Sequence, residues 1–205
     1  MAKLTAIALN ATLKSSRGDP SSTDAMIDVL KSEFAGHDVE LTETIRLADY
    51  DIKPGVTSDE GEGDQWPALR RKIVAHDILI FGTPVWMGQI SSVAKRALER
   101  MDAFISETDD EGRMPSYGKV AVAAIVGNED GAHNCSAQLF QSLNDTGWTN
   151  PPVAACYWVG EAMGSTDFRE LEKTPDPIAR TAKMVAANAA HVARLFEGKE
   201  FPAIS

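Results

Sequence analysis

The chain has 205 residues, with 20 Lys and Arg against 30 Asp and Glu, so its formal net charge at pH 7 is −10. This acidic balance argues against a nucleic-acid-binding surface and against a membrane anchor that relies on anionic lipids. The sequence contains neither an apolar run of transmembrane length nor an internal repeat. We therefore predict a single domain that spans residues 1–205.

The N-terminus and the cysteines both favour a reducing compartment. The first residues lead straight into a strand-like segment, without the apolar core of a signal peptide. Cys135 and Cys156 belong to no C-x-x-C or metal-ligand pattern. We therefore expect a cytoplasmic protein with reduced, packed thiols and no metal site.

Strand and helix patterns alternate along the chain. The predicted strands cover residues 3–10, 39–47, 78–81, 119–126 and 152–159. The predicted helices cover residues 22–34, 67–75, 90–101, 132–146 and 177–196. Between the second strand and the second helix, residues 48–65 are rich in glycine and acidic residues, which predicts a long solvated loop that could act as a lid.

Five strands separated by helices predict an α/β fold, with a doubly wound parallel sheet and helices on both faces. The alternation alone leaves the strand order open. The order 2-1-3-4-5 would make the first and third strands neighbours, and both strands end in unusual loops. A ligand site is therefore expected between these two loops.

The third strand leads into a loop with the sequence Gly82-Thr83-Pro84-Val85-Trp86-Met87-Gly88. Pro84 cannot donate to a sheet ladder and Gly88 permits a backbone turn, so we predict that the strand ends here. Loops at the carboxyl ends of parallel strands are where open α/β sheets bind ligands. Trp86 either forms a wall of such a ligand site or covers the core, and the sequence leaves both open.

The loop after the first strand, residues 10–23, is crowded with hydroxyl side chains and opens onto a helix. Hydroxyl donors, backbone N–H groups and the positive end of a helix dipole together suit a phosphate. Neither G-x-G-x-x-G nor a Walker A pattern is present, so a monophosphate is predicted rather than a dinucleotide. The alternative is that Ser22 or Thr23 only caps the helix.

The loop after the fourth strand, residues 127–134, has two glycines that let backbone approach a flat ligand, beside polar side chains. A ligand with a phosphate, a polyol tail and a planar heterocycle would use all three loops. His133 in this loop is either catalytic or a solvated or helix-capping residue.

These three loops, with Lys95 and Arg100 on the helix after the second, resemble the flavodoxin-like NAD(P)H-dependent FMN reductase superfamily and its quinone reductases. The similarity runs from Lys3 to about Gly160. It implies a flavodoxin-like five-stranded sheet of order 2-1-3-4-5, FMN as cofactor and NAD(P)H as co-substrate. It also implies a small electron acceptor, a quinone or free flavin, and a homodimer or homotetramer.

The resemblance also implies which residues hold the cofactor. Candidates at the phosphate are Thr12, Lys14, Ser16, Ser21, Ser22 and Thr23. Candidates at the isoalloxazine and ribityl groups are Thr83, Pro84, Val85, Trp86, Met87 and Gly88. Candidates at the ring edge are Gly127, Asn128, Glu129, Asp130, Gly131 and His133. No catalytic side chain is required, because the flavin itself carries the redox chemistry.

Two other functions fit the same residues. A flavodoxin-type electron carrier would also suit the acidic surface, and a non-catalytic FMN-binding protein would need only the loops. A phospho-acceptor receiver is disfavoured, because the third strand ends in Gly82 and Thr83 where that chemistry needs an aspartate. The enzyme is the leading prediction.

Overall fold

The computed structural model describes residues 3–18, 20–199 and 201–203. Asp19, in the hydroxyl-rich loop, lies outside these residues, as do Met1 and Ala2. The strands are β1 (Leu4–Asn10), β2 (Val39–Arg46), β3 (Ile78–Trp86), β4 (Gln89–Ile90), β5 (Val120–Val126) and β6 (Ala155–Trp158). The helices are α1 (Ser22–Ala35), α2 (Trp66–Val74), α3 (Ser92–Met101), α4 (Ala132–Asp145) and α5 (Asp176–Phe196).

The five main strands form a parallel sheet in the order β2-β1-β3-β5-β6. This is the predicted order 2-1-3-4-5 once β4 is set aside, and the doubly wound, flavodoxin-like α/β fold is confirmed. The prediction of five strands missed β4, which pairs antiparallel with β3 and has only two residues. Two residues are too few to show an alternating pattern.

The predicted end of the third strand was wrong. β3 continues to Trp86, and Pro84 pairs with Val126 of β5. On its other side, β3 is paired with β1 only as far as Gly82, whose carbonyl accepts the Ala11 N–H. Two residues further on, the Pro84 nitrogen points to the side that β1 has left, so its missing N–H costs no ladder hydrogen bond.

Helices cover both faces of the sheet. α1 and α5 pack on one face, and α2, α3 and α4 pack on the other. All seven residues of β5 are buried, as expected for a central strand of a parallel sheet. No helix among the described residues is long and apolar enough to cross a membrane.

A glycine lets α1 lie directly on β3. A Cβ atom at Gly82 would lie 2.7 Å from the Thr23 Cγ2 and 3.1 Å from the Leu9 carbonyl oxygen. The N-cap of α1 is Ser21, whose hydroxyl accepts the Thr23 N–H at 3.1 Å. The N-terminus of α1 is thereby held at the carboxyl edge of the sheet, beside the ends of β1 and β3.

Arg100 anchors the acidic segment 48–65 to α3. The sequence predicted a solvated loop that could act as a lid, and it did not predict this anchor. Arg100 on α3 pairs with Asp64 at 2.7 Å, and both side chains are 0% exposed. The same guanidinium donates to the carbonyls of Thr57 at 2.9 Å and Lys53 at 3.0 Å. Composition could not reveal this anchoring, because the partner lies on a helix 36 residues away from Asp64.

Candidate functional site

A cavity of about 630 Å³ lies at the carboxyl ends of β1, β3 and β5, within the size range of small-molecule sites. Of the eighteen residues predicted for the cofactor, twelve line it: Thr12, Lys14, Ser21, Ser22, Thr23, Pro84, Val85, Trp86, Met87, Gly127, Asn128 and Glu129. The three loops predicted from the sequence therefore meet around one space. Six predicted residues lie outside the lining: Ser16, Thr83, Gly88, Asp130, Gly131 and His133.

One end of the cavity is built from hydroxyls at the start of α1. Thr12, Ser21 and Thr23 are buried, and Ser22 is half-buried. The Asn10 side chain orders this end: its Oδ1 accepts the Thr12 N–H at 2.9 Å, and its Nδ2 lies 3.4 Å from the Ser21 hydroxyl. Hydroxyls beside a helix N-terminus form an end that suits an anion.

The opposite end is a slot between the loops after β3 and β5. Met87 and Gly88, with φ values of 51° and 71°, form the two-residue turn of the β3–β4 hairpin. The Glu129 carboxylate accepts the N–H groups of Met87 at 2.9 Å and Gly88 at 3.1 Å. This carboxylate fixes the two loops relative to each other.

Gly88 contacts the neighbouring loop and does not line the cavity. A Cβ atom on Gly131, whose φ is 139°, would lie 2.5 Å from the Gly88 Cα. The Asn134 side chain donates to the Gly88 carbonyl at 2.8 Å. Gly88, Asp130 and Gly131 therefore allow two backbones to meet behind the slot, which supports the slot from outside.

The remaining predicted residues have other neighbours. Thr83 is buried and ties β3 to α3, because its hydroxyl accepts the Ser91 N–H at 3.2 Å. Ser16 is exposed, and its N–H donates to Asp49 Oδ1 at 2.9 Å. His133 lies in the first turn of α4, with its Nε2 3.1 Å from the Tyr157 hydroxyl.

Sequence reasoning missed part of the lining. The missed residues are Leu13, Val126, Trp158, Met163, Gly164, Asp167 and Phe168. Most of these follow β6, whose carboxyl end lies at the same edge of the sheet as the other sites. The glycines at positions 160 and 164 were the available signal, but they were not connected with a ligand.

The segment 159–169 closes the cavity on this side. The Met163 N–H donates to the Asn128 carbonyl at 2.7 Å, and the Asn128 side chain donates to Asp167 at 3.2 Å. The Arg169 N–H then reaches the Ser22 hydroxyl at 3.4 Å. The segment thus bridges the loop after β5 and the start of α1.

Exposed apolar side chains surround the mouth of the cavity. Trp86 is 50% exposed, Met87 87%, Leu13 48% and Met163 90%. Large apolar groups this exposed are commonly found at binding surfaces. The arrangement can therefore hold a ligand with an anionic end and a flat apolar end.

Residues 6–162 match the family of NADPH-dependent FMN reductases, and the chain belongs to this family. The family confirms the resemblance found in the sequence. Its members are flavoenzymes that act on small acceptors, and the family description implies FMN and NADPH. The chain is thus a flavin-related oxidoreductase or a closely related flavin enzyme.

Two curated proteins are similar in sequence to this chain. The chain is 33% identical, over 206 aligned residues, to 8-demethyl-8-aminoriboflavin-5′-phosphate synthase of Streptomyces davaonensis, with 95% of this chain and 79% of that protein covered. It is 39% identical over 163 residues to the divalent metal cation transporter MntH of Mycobacterium bovis, covering 78% of this chain. The chain spans only 24% of the length of that transporter.

Solved structures show the same fold. The structure of RosB with the bound intermediate 8-demethyl-8-formylriboflavin-5′-phosphate superposes with a TM-score of 0.86 at 30% identity, covering 97% of this chain and 82% of that one. A flavone reductase superposes with a TM-score of 0.66 at 15% identity, covering 97% of this chain and 66% of that one. At that identity the second match concerns the fold alone.

Proposed function

We propose that the protein is an FMN-dependent oxidoreductase that passes reducing equivalents from NAD(P)H to a small acceptor, a quinone or a free flavin. The observation that carries the proposal is a cavity that joins a hydroxyl-lined helix N-terminus to an apolar slot between two fixed loops. When bound there, FMN would accept a hydride from NAD(P)H and return electrons to the acceptor.

The residues at the two ends suit the two ends of FMN. Hydroxyls of Thr12, Ser21 and Ser22 can donate to a phosphate, and the α1 dipole favours its negative charge. Lys14 is exposed at the same end and adds a positive charge. The absence of a dinucleotide motif in the sequence supports FMN over FAD.

The slot suits the isoalloxazine ring. Residues 84–87 supply one side, with Trp86 as a partly exposed wall, and residues 127–129 supply backbone and amide groups at the edge. Because Glu129 already holds both loops together, a ring would enter a formed slot and little ordering would be needed.

We also propose a homodimer or homotetramer, with the apolar rim supporting the assembly. Trp86 and Met87 expose apolar surface at the cavity mouth that a second subunit could cover. Light scattering at micromolar concentration tests this, and a monomeric mass would refute it.

We propose a cytoplasmic location because both cysteines are free thiols. Cys135 and Cys156 are free and buried. Burial raises the pKa of Cys135 to about 11 and that of Cys156 to about 12, so both thiols stay protonated and unreactive. Such cysteines are consistent with a reducing compartment.

Steady-state oxidation of NADPH, with and without a quinone, tests the leading proposal. We expect that NADPH is oxidised only when a quinone is added. We also expect that removal of the flavin from the protein abolishes this activity. Because one open side of the slot must serve both substrates, double-reciprocal plots at several fixed quinone concentrations should be parallel. An electron carrier or a non-catalytic flavin-binding protein would show no turnover of NADPH.

A second candidate is a modification of the flavin itself. Similarity to the 8-demethyl-8-aminoriboflavin-5′-phosphate synthase covers 95% of this chain, and RosB, with its bound formyl intermediate, superposes more closely than the flavone reductase does. In this alternative, riboflavin 5′-phosphate occupies the same cavity as substrate. Mass spectrometry of the flavin recovered after aerobic incubation of the protein with FMN and an amino donor separates the two: an unchanged mass supports the reductase, and a changed ring supports the second candidate.

A further inference from the structure

The end of β2 contacts the hydroxyl-rich loop from outside the cavity. Asp49 closes the short 3-10 turn that follows β2. Its Oδ1 accepts the Ser15 hydroxyl at 2.7 Å and the Ser16 N–H at 2.9 Å. Ser15 directly follows Lys14, which lines the cavity, so Asp49 fixes the outer half of the loop whose inner half forms the anion-binding end.

Arg46, the last residue of β2, holds the same loop at a second point. Its Nη1 donates to the Ser15 carbonyl at 3.0 Å, and its Nη2 pairs with the Asp24 carboxylate in the first turn of α1. The Arg46 side chain is only 12% exposed. An unpaired carboxylate at this helix N-terminus would repel a phosphate, so the guanidinium also offsets the Asp24 charge.

The contacts continue into the cavity through Asn10. The Asn10 Nδ2 donates to Asp24, and its Oδ1 accepts the Thr12 N–H. Thr12 lines the cavity, whereas Arg46 and Asp49 do not. A chain of hydrogen bonds thus runs from β2 to the anion-binding end, and it does not include the slot between the β3 and β5 loops.

We propose that Arg46 and Asp49 are positioning residues that hold this loop ready for a phosphate, and that they set the preference for phosphorylated over unphosphorylated flavin. The inference rests on the proposed function, because it requires a flavin in the cavity. Loop groups that are already ordered lose less conformational entropy when they bind an anion. Hydrogen bonds from Ser16 and Ser15 lower the pKa of Asp49, so the carboxylate remains charged at neutral pH.

Tryptophan fluorescence titration of the full-length, flavin-free protein with FMN and with riboflavin tests the inference. Asp49→Asn should weaken FMN binding roughly five- to tenfold, since an exposed charge-assisted hydrogen bond is weakened, while riboflavin binding changes less than about twofold. Arg46→Lys should reduce the preference for FMN over riboflavin. A lysine ammonium lacks the planar guanidinium that donates to the Ser15 carbonyl and to Asp24 at the same time. Asp51→Asn changes an exposed carboxylate two residues away and is the matched control.

The outcomes separate the inference from the proposed function. If the wild-type protein prefers FMN and Asp49→Asn keeps that preference, or loses affinity for both flavins equally, the positioning role is wrong and the FMN site stands. If the wild-type protein binds neither flavin, both proposals fail. Melting temperatures of each variant identify any loss that comes from unfolding, and Asp49→Asn alone still decides the question if Arg46→Lys is unstable.

Discussion

The two edge strands of the sheet, β2 and β6, are each followed by a long irregular segment at the same carboxyl edge. Segment 50–65, after β2, is anchored to α3 by a fully buried ion pair between Arg100 and Asp64. Segment 159–169, after β6, lines the cavity and leaves Met163 90% exposed. Equivalent positions in the fold thus differ: Arg100 anchors the first segment to α3, whereas the second segment forms part of the cavity wall.

The largest expected effect comes from breaking the ion pair that anchors segment 50–65. Arg100→Met leaves Asp64 buried without its cation and should lower the free energy of unfolding by about 3–5 kcal/mol. Urea unfolding measures this. Lys95→Met, on the exposed side of the same helix, is the control and should change stability by less than about 0.5 kcal/mol. Equal losses in the two variants would contradict a special role of the buried pair.

The same pair gives a pH dependence with a defined sign. Burial alone would raise the pKa of Asp64, but hydrogen bonds from Arg100 and from backbone N–H groups outweigh it and hold the pKa below its ordinary value. Asp64 therefore contributes stability that is complete above its unfolded pKa, about 4, and is lost as pH falls through the folded pKa. In Arg100→Met only burial and the backbone groups remain, so protonation of Asp64 becomes less costly.

We therefore expect the stability difference between wild type and Arg100→Met to shrink as the pH is lowered below about 4, the unfolded pKa of Asp64, toward its lower folded pKa. Urea unfolding across this range measures the difference. A difference that stays constant with pH would show that lost packing, and not the buried charge, dominates the cost.

A smaller effect is expected at the slot, where Glu129 holds two loops together. Glu129→Ala removes the acceptor of the Met87 and Gly88 N–H groups and should weaken FMN binding about tenfold. Glu129→Gln keeps one acceptor oxygen and should fall between this variant and wild type. Flavin titration gives the FMN affinity of both variants. Wild-type affinity in Glu129→Ala would show that FMN binding does not depend on the hydrogen bonds from Met87 and Gly88 to Glu129.

The smallest effect on stability is expected in segment 159–169. Met163→Ser should change the free energy of unfolding by less than about 0.5 kcal/mol, because the side chain is exposed. It should instead raise the KM for a quinone, because Met163 lines the cavity. Met184→Ser, on α5 and outside this cavity, is the matched control, and an equal effect of both variants on KM would remove Met163 from the site.

The sequence was sufficient for the fold because periodicity and parallel-sheet topology act over short stretches. The alternation of strands and helices, and the loops after β1, β3 and β5, could all be found from local patterns. The turn at Met87 and Gly88 could not be placed, because its position depends on how far β3 pairs with β5 beyond Gly82. Pro84 suggested that the strand ends, because proline has no N–H to donate to a neighbouring strand. Among the described residues, no strand is paired with β3 on the β1 side at Pro84, so β3 continues without losing a hydrogen bond.

Long-range contacts explain the other errors. Arg100 reaches Asp64 across 36 residues, and Met163 reaches Asn128 across the sheet edge. Neither pairing leaves a local signal in composition or spacing. Gly160 and Gly164 mark segment 159–169 as a loop, but they do not show that this loop contacts the loop after β5 and the start of α1, so this part of the cavity wall was missed.

The central claim is that the cavity holds a flavin that NAD(P)H reduces and a small acceptor reoxidises. The most direct measurement follows the visible absorption band of the FMN-loaded protein under anaerobic conditions, first on addition of NADPH and then of a soluble quinone. We predict that NADPH bleaches the band and that the quinone restores it. A band that NADPH leaves unchanged, or that the quinone does not restore, would contradict the proposed function.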